Sequence, residues 1–190
     1  MKRDVVILYS GGADSRLMIE LALMAKKRPY AVLVDYGQKH VDELKFAEKH
    51  LCDLSVPYQI VRIDGLPLDS GLKGNLQESR WENVNPMNVP ARNTILLSIA
   101  MAIAENMGAK EVWYGADYSD REDLFPDCYQ EYVVTMNEVC KLGLATEVKI
   151  VAPLLGMPKQ LILDILEHHF NVTKNDMYSG YKHPQGEEKK

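Results

Sequence analysis

Residues 5–15 read VVILYSGGADS, in which an apolar run stops at two glycines and a helical pattern begins. The run predicts a buried β-strand, and the glycines predict a tight turn between this strand and a helix. Such a turn leaves the first N–H groups of the helix without partners, and these donors attract an anion together with the positive end of the helix dipole. Gly11 and Gly12 have no side chain that would keep a phosphate group from the backbone, while Ser10 and Ser15 add hydroxyl donors. The stretch therefore predicts a phosphate-binding turn.

Two other phosphate-binding motifs do not fit this turn. The P-loop ends in Gly-Lys-Ser/Thr and the dinucleotide-binding turn reads Gly-x-Gly-x-x-Gly, and residues 10–15 contain neither. One alternative stays open at this point, because Asp14 or Ser15 could serve only as the N-cap of the helix that follows.

The composition argues against several classes of protein. With 46% hydrophobic and 26% charged residues, the 190-residue chain is typical of a globular domain, and its net charge of −5 argues against a broad nucleic-acid surface. Its apolar stretches are too short for a membrane span or a signal peptide. Three widely spaced cysteines without a Cys-x-x-Cys motif indicate neither a disulfide framework nor a zinc ribbon. We expect a cytoplasmic protein that acts on a small molecule, with no nucleic-acid partner and no membrane contact.

Short β-rich runs alternate with helical patterns along the chain, which is typical of βαβ units. This alternation predicts an α/β fold: a doubly wound, five-stranded parallel sheet with helices on both faces, of the Rossmann-like kind. The predicted strands are Asp4–Tyr9, Tyr30–Asp35, Tyr58–Ile63, Glu111–Gly115 and Val148–Ala152. The predicted helices are Asp14–Lys26, Val41–Leu51, Arg92–Met107, Tyr129–Leu142 and Lys159–Phe170.

We expect one nucleotide-binding domain over residues 1–170 and a C-terminal extension over residues 171–190 that is partly flexible. A long loop over residues 64–88, rich in Gly, Pro, Asn and Ser, is expected to be a functional lid or a flexible segment. Ligands of doubly wound sheets bind beyond the C-terminal ends of the strands, so the polar segments there should meet in one crevice. These segments are Ser10–Ser15, Asp35–His40, Tyr118–Asp127 and the residues around Lys159.

Two basic residues lie in the first turns of predicted helices, where the helix dipole disfavours a positive charge. Arg92 and Lys159 each fall in the first turn of a predicted helix, where a positive charge opposes the helix dipole by about 0.3–1 kcal/mol. A bound anion would turn this penalty into a gain, and departures from local rules are expected at functional sites. For each residue alone, a side chain that simply extends into water would also explain the position.

The motifs in this order resemble a known family. The hexapeptide SGGADS over residues 10–15 resembles the Ser-Gly-Gly-x-Asp-Ser loop of the PP-loop ATP pyrophosphatases. Three further segments resemble motifs of the 7-cyano-7-deazaguanine synthase family, and their order and spacing match from Met1 to about Lys159. They are DYGQKH over residues 35–40, VPARN over residues 89–93 and PDC over residues 126–128.

The resemblance implies an ATP-dependent, AMP-forming carbon–nitrogen ligase that uses Mg²⁺ with its ATP. The carboxylate of 7-carboxy-7-deazaguanine would attack the α-phosphate of ATP, which gives an acyl-adenylate and pyrophosphate. Ammonia would convert this intermediate to an amide, and a second ATP would activate the amide so that elimination leaves the nitrile. Such chemistry needs positioning and electrostatic stabilisation rather than a protein nucleophile.

The resemblance also implies roles for particular residues. Asp14, Arg92 and Lys159 would be catalytic, and Asp14 would meet the phosphates through Mg²⁺ unless it is only a helix cap. Asp127 could instead be the N-cap of the next helix, His40 an exposed residue at a helix start, and Cys128 is expected to pack as a small hydrophobic residue. The residues expected to hold the nucleotide and its pyrophosphate are Ser10, Gly11, Gly12, Asp14, Ser15, Tyr36, Gln38, His40 and Asn93. Those expected to face the deazaguanine are Tyr118, Ser119 and Asp127.

The chain departs from the family in ways that leave the product open. The typical synthase carries a four-cysteine zinc site near its C-terminus, but no cysteine follows Cys140 here, so zinc is not expected. Arg16 follows the phosphate loop where a smaller residue is usual. Without zinc, the segment after Phe170 must pack through Val172, Met177, Tyr178 and Tyr181, contact a partner subunit or remain mobile. We expect packing by the tyrosines and mobility near Lys190. The alternatives are a variant that stops at the 7-amido product, a ligase for a different acid, and an inactive nucleotide-binding partner subunit. We expect a homodimer that takes free ammonia.

Overall fold

A computed structural model describes residues 2–37, 41–64, 84–85, 88–173 and 176–177. Within these residues the chain forms one parallel sheet of five strands in the order β3-β2-β1-β4-β5. The strands are β1 (Val5–Leu8), β2 (Pro29–Asp35), β3 (Tyr58–Arg62), β4 (Glu111–Trp113) and β5 (Lys149–Val151). The helices are α1 (Ala13–Met24), α2 (Val41–Asp53), α3 (Arg92–Met107), α4 (Tyr118–Glu122), α5 (Gln130–Gly143) and α6 (Lys159–Phe170).

The predicted doubly wound α/β fold is confirmed, and each predicted strand and helix is present. The prediction missed α4, which was treated as a polar loop. This helix has five residues, too few to show a helical period, and it depends on a capping box between Asp117 and Asp120.

The sheet separates two cores because successive strand residues point to opposite faces. Val5 and Ile7 pack with α1, α2 and α6, whereas Val6 packs with α3 and α5. All three residues are fully buried, as expected for a central parallel strand that is covered on both sides.

The strand order places a crevice at the C-terminal ends of β1 and β4. The chain runs outward from β1 to β2 and β3, then returns past β1 to form β4 and β5, and Ile7 pairs with Ala31 on one side and with Trp113 on the other. At such a point of reversal the connections leave in opposite directions and open a ligand crevice. The turn after β1, helix α4 and the start of α6 surround it.

Two segments that were singled out in the sequence fall largely outside the described residues. Of the loop over residues 64–88, the structure describes only Asp64, Val84, Asn85 and Asn88. Beyond α6, Val172 is 4% exposed and Met177 packs against the α1–α6 core, while Tyr178 and Tyr181 lie outside the described part. Among the described helices, none has both the length and the apolar character needed to cross a membrane.

Candidate active site

The turn after β1 has the backbone that a phosphate loop needs. Gly11 has a φ of +85°, in the left-handed region, and a Cβ at this position would lie 3.1 Å from the Cβ of Ala47 on α2. Gly12 is the N-cap of α1 and supplies no side-chain cap. A residue with a side chain at position 11 would therefore be strained and would push α2 away from the turn.

Ser15 closes this turn through its side chain. Its hydroxyl accepts hydrogen bonds from the N–H groups of Gly11 (3.1 Å) and Ser10 (3.3 Å) and donates one to the carbonyl of Gly12 (3.0 Å). Neither Ser15 nor Asp14 caps α1, so the capping alternative is wrong for both residues. The hydroxyl of Ser15 instead accepts from two backbone N–H groups of the turn itself.

The structure brings Asp14 and Lys159 together across the crevice. The ammonium Nζ of Lys159 lies 2.7 Å from Oδ1 and 2.5 Å from Oδ2 of Asp14, although the two residues are 145 positions apart. Gly115, just after β4, permits this approach, because a Cβ there would lie 3.0 Å from the Cβ of Asp14. The cation at the start of α6 is thus matched by a carboxylate at the start of α1.

Asp117 is a second partner of Lys159, and the sequence analysis missed it. Its side chain is 1% exposed, and its Oδ2 lies 3.2 Å from Nζ of Lys159. Its Oδ1 caps α4 by accepting from the N–H groups of Ser119 and Asp120, and Asp120 Oδ2 accepts from the N–H of Asp117. The spacing Asp-x-x-Asp, four residues after the end of β4, has the form of a capping box and could have revealed this residue.

Burial and charge shift the acid–base equilibria in the crevice. Burial and the neighbouring Asp117 carboxylate raise the pKa of Asp14. The ammonium of Lys159 lowers this pKa, but the net direction is upward. For Lys159, burial lowers the pKa but the two carboxylates outweigh it, so the net direction is upward. Burial and then the nearby carboxylates raise the pKa of Asp120 to about 6. One ammonium therefore faces an excess of carboxylates, which favours an additional cation.

These donors suit Mg²⁺ that arrives with a nucleotide. Mg²⁺ prefers oxygen ligands and is usually held by one or two carboxylates together with waters and phosphates. Asp14 offers such a carboxylate at the phosphate loop, and the described residues contain no cluster of three or more His, Cys, Asp or Glu arranged as a complete metal site. The residues present therefore fit a magnesium ion shared with phosphate groups.

The remaining expected nucleotide residues lie around the same edge of the sheet. Tyr36 follows β2 and is half-buried against the α3–α5 core. Arg92 and Asn93 begin α3 and are half-buried, after Ala91 in the left-handed conformation with a φ of 53°. The positive charge of Arg92 lowers the pKa of the Cys128 thiol, although burial raises that pKa by more. Gln38 and His40 lie outside the described residues.

The residues expected to face the deazaguanine fall in two groups. Ser119 accepts a hydrogen bond from the backbone N–H of Lys159 (3.2 Å), and Tyr118 beside it is 40% exposed. Asp127 lies next to Cys128, whose thiol donates to its Oδ1 at 3.6 Å. The N-cap of α5 is Tyr129, so the alternative that Asp127 caps this helix is wrong.

Cys128 packs as the sequence analysis expected. Its side chain is 4% exposed, and burial raises the pKa of its thiol well above the usual range. A thiol in this environment stays protonated and is a poor nucleophile.

Comparison with solved structures identifies the class of fold. The U34-tRNA thiolase NcsA from Methanococcus maripaludis superposes with a TM-score of 0.58 at 19% identity, over 87% of this chain and 57% of its own. The NH3-dependent NAD synthetase from Campylobacter jejuni superposes with a TM-score of 0.53 at 19% identity, over 93% of this chain and 67% of its own. The fold is therefore that of the PP-loop ATPase type.

Comparison with sequences identifies the family. The model of the queuosine biosynthesis protein QueC matches residues 4–189. A 7-cyano-7-deazaguanine synthase from Alteromonas mediterranea is 38% identical over 170 residues, which cover 86% of this chain and 78% of that relative. The chain belongs to the QueC family, and the resemblance stated from its motifs is confirmed.

Proposed function

We propose that this chain is an ATP-dependent ligase that converts 7-carboxy-7-deazaguanine and ammonia to 7-cyano-7-deazaguanine, with release of AMP and pyrophosphate. Relatives across most of its length carry the name of this synthase. The observation that carries the proposal is the ion pair of Lys159 with Asp14 at the phosphate loop. This pair supports the proposal because it joins a cation and a carboxylate beside the loop that is proposed to bind the phosphates of ATP.

The phosphate loop binds the β- and γ-phosphates as the future pyrophosphate. A phosphate oxygen replaces the Ser15 hydroxyl as acceptor of the N–H groups of Ser10 and Gly11, which lie 3.3 and 3.1 Å from that hydroxyl. The first N–H groups of α1, which Gly12 leaves without a side-chain cap, add further donors at the positive end of the helix dipole.

Asp14 and Lys159 then act on the reacting phosphate. Asp14 would turn from the ammonium to hold Mg²⁺, which when bound would neutralise charge on the phosphates. Lys159, released from Asp14, places its ammonium on the oxygens that become more negative as the substrate carboxylate attacks the α-phosphorus. The bond from this phosphorus to the bridging oxygen breaks, so pyrophosphate leaves and an acyl-adenylate forms.

Two further steps complete the reaction. Ammonia attacks the acyl carbon, AMP leaves, and a proton from nitrogen is lost to give the amide. The amide oxygen then attacks the α-phosphorus of a second ATP and pyrophosphate leaves; loss of AMP, which carries the amide oxygen, with two protons from nitrogen gives the nitrile. Asp127, Tyr118 and Ser119 hold the deazaguanine during these steps, since a carboxylate such as Asp127 accepts hydrogen bonds from the N–H edge of a guanine-like base.

Further features of the protein belong to the same proposal. We propose a homodimer in the cytoplasm that takes free ammonia, binds no nucleic acid and needs no zinc. In support, the three cysteines are free and apart, with Cys52 exposed on α2 while Cys128 and Cys140 are buried on the α3–α5 side. The nucleotide-binding domain is proposed to extend over residues 1–170, with residues 171–190 as an extension.

Product analysis tests the function. The chain is incubated with 7-carboxy-7-deazaguanine, ATP, Mg²⁺ and ammonium, and the products are identified by mass spectrometry. We expect the nitrile together with AMP and pyrophosphate. Amide as the sole product under excess ATP would favour the variant that stops at the amide, and ADP with orthophosphate would contradict the assignment of the loop.

A further inference from the structure

The two carboxylate oxygens of Asp117 make different contacts. Oδ1 accepts hydrogen bonds from the backbone N–H groups of Ser119 (2.7 Å) and Asp120 (3.0 Å), while Oδ2 lies 3.2 Å from the ammonium of Lys159. Two backbone donors on Oδ1 fix the rotation of the carboxylate. Oδ2 therefore stays directed at Lys159.

Residues at the start of helix α4 contact Lys159 both at its backbone and at its side-chain ammonium. The backbone N–H of Lys159 donates to the hydroxyl of Ser119 (3.2 Å), and the ammonium contacts Asp117. The Lys159 side chain is 44% exposed, whereas that of Asp117 is 1% exposed. A lysine side chain is flexible, so a buried and immobile carboxylate can restrict where its ammonium lies.

The other partner of the ammonium is in a different position. Asp14 belongs to α1 at the phosphate loop, and the proposed function requires it to turn towards Mg²⁺ and the nucleotide. Lys159 then loses its nearer partner at the moment when its charge is needed. Asp117 is buried and caps α4 through two backbone hydrogen bonds, so its carboxylate stays in place when the nucleotide binds.

We propose that Asp117 is a positioning residue that keeps the ammonium of Lys159 in the crevice when Asp14 turns to the nucleotide. This inference rests on the proposed function. The proposed role is distinct from helix capping. Serine caps a helix about as well as aspartate, but its single hydroxyl oxygen cannot also contact Lys159. The two tasks of Asp117 can therefore be separated by substitution.

Three variants make this separation. Asp117→Ser keeps a capping acceptor and removes the contact with Lys159, Asp117→Ala removes both, and Asp123→Ser is a matched control that removes an exposed carboxylate from the end of α4. We expect Asp117→Ser to keep a melting temperature near that of the wild type while its kcat falls about tenfold or more. KM for ATP should change by less than about threefold, because a cation that acts mainly in the transition state affects kcat. The control should change neither constant.

Two results would overturn the inference. Recovery of wild-type kcat in Asp117→Ser, after a loss in Asp117→Ala, would leave capping as the only role. A crystal structure of the wild-type chain with a non-hydrolysable ATP analogue is a second measurement that does not depend on the acid substrate. We expect Nζ of Lys159 to remain within hydrogen-bonding distance of Asp117, and an ammonium that has left Asp117 would contradict the inference. A wild-type chain that keeps this contact but makes no AMP with the deazaguanine acid would contradict the proposed function alone.

Discussion

Lys159 lies where the dipole of α6 disfavours a cation, and the structure shows what compensates for this position. Its ammonium contacts Asp14 and Asp117, and the nearby Asp120 adds a third carboxylate whose pKa burial raises to about 6. The crevice therefore holds more negative than positive charge before any ligand binds. This arrangement makes the stability of the free protein sensitive to pH.

Asp120→Asn should stabilise the free protein at pH 8 but not at pH 4. In the folded state the pKa of Asp120 is about 6, above the ordinary value of 3.8, so the folded state holds its proton more tightly than the unfolded state does. The resulting stability is complete below about pH 4 and is lost as the pH rises through 6. A shift of about two pKa units corresponds to about 3 kcal/mol, which sets the upper size of the gain at pH 8.

Urea unfolding of the wild type and Asp120→Asn at pH 4, 6 and 8 measures this effect. Asparagine can still accept from the N–H of Asp117, so the capping box is kept. Asp123→Asn, at an exposed position three residues later, is the matched control, because it also removes one carboxylate from the end of α4. An equal gain for Asp120→Asn at pH 4 and pH 8 would show that the proton equilibrium of Asp120 is not the cause.

At the scale of helices, α3 and α6 both begin with a cation, Arg92 or Lys159, where the helix dipole disfavours a positive charge. The ammonium of Lys159 contacts the carboxylates of Asp14 and Asp117. Removal of Lys159 therefore leaves the buried Asp117 without its ammonium, which should cost stability as well as activity.

We expect Lys159→Ala to lower kcat/KM by about a hundredfold or more and the free energy of unfolding by about 1–2 kcal/mol. Arg92→Ala should also lower activity by far more than it lowers stability, as expected for a cation that binds an anion at a helix start. Steady-state kinetics and thermal unfolding check both effects, and Lys110→Ala, an exposed cation at the opposite end of the sheet, is the control. Large stability losses in both variants, with activity reduced only in proportion, would indicate structural roles.

The sequence predicted the elements of this fold better than the contacts between them. Strands and long helices were predictable because a parallel sheet imposes buried apolar runs and a regular alternation. Helix α4 was not predictable in this way, because its five polar residues are too few to show a helical periodicity. The capping box is its only signal in the sequence. The approach of Lys159 to Asp14 followed from the rule on strand ends, but the direct ion pair depends on Gly115, whose missing side chain lets α1 approach β4.

At the scale of the whole molecule, the segment after α6 is where the resemblance implies a zinc site in typical synthases. Residues 141–190 of this chain contain no cysteine. In the described part, Val172 is 4% exposed, its N–H donates to the carbonyl of Leu166 (2.9 Å), and Met177 packs against the same core. Apolar packing on α1 and α6 thus holds the start of this segment.

This arrangement predicts that the protein is insensitive to zinc removal but sensitive to the loss of Val172. Prolonged treatment with a chelator should leave the melting temperature unchanged, and elemental analysis should find much less than one zinc per chain. Val172→Ala should lower the free energy of unfolding by about 2 kcal/mol, since two methyl groups contribute about 0.8 kcal/mol each and a small cavity adds the rest. Val134→Ala, at an exposed position on α5, is the control, because the same two methyl groups are lost there without a cavity. The prediction would be contradicted by one zinc per chain whose removal lowers the melting temperature, together with an unchanged free energy of unfolding in Val172→Ala. That result would show that a metal and not apolar packing holds the segment.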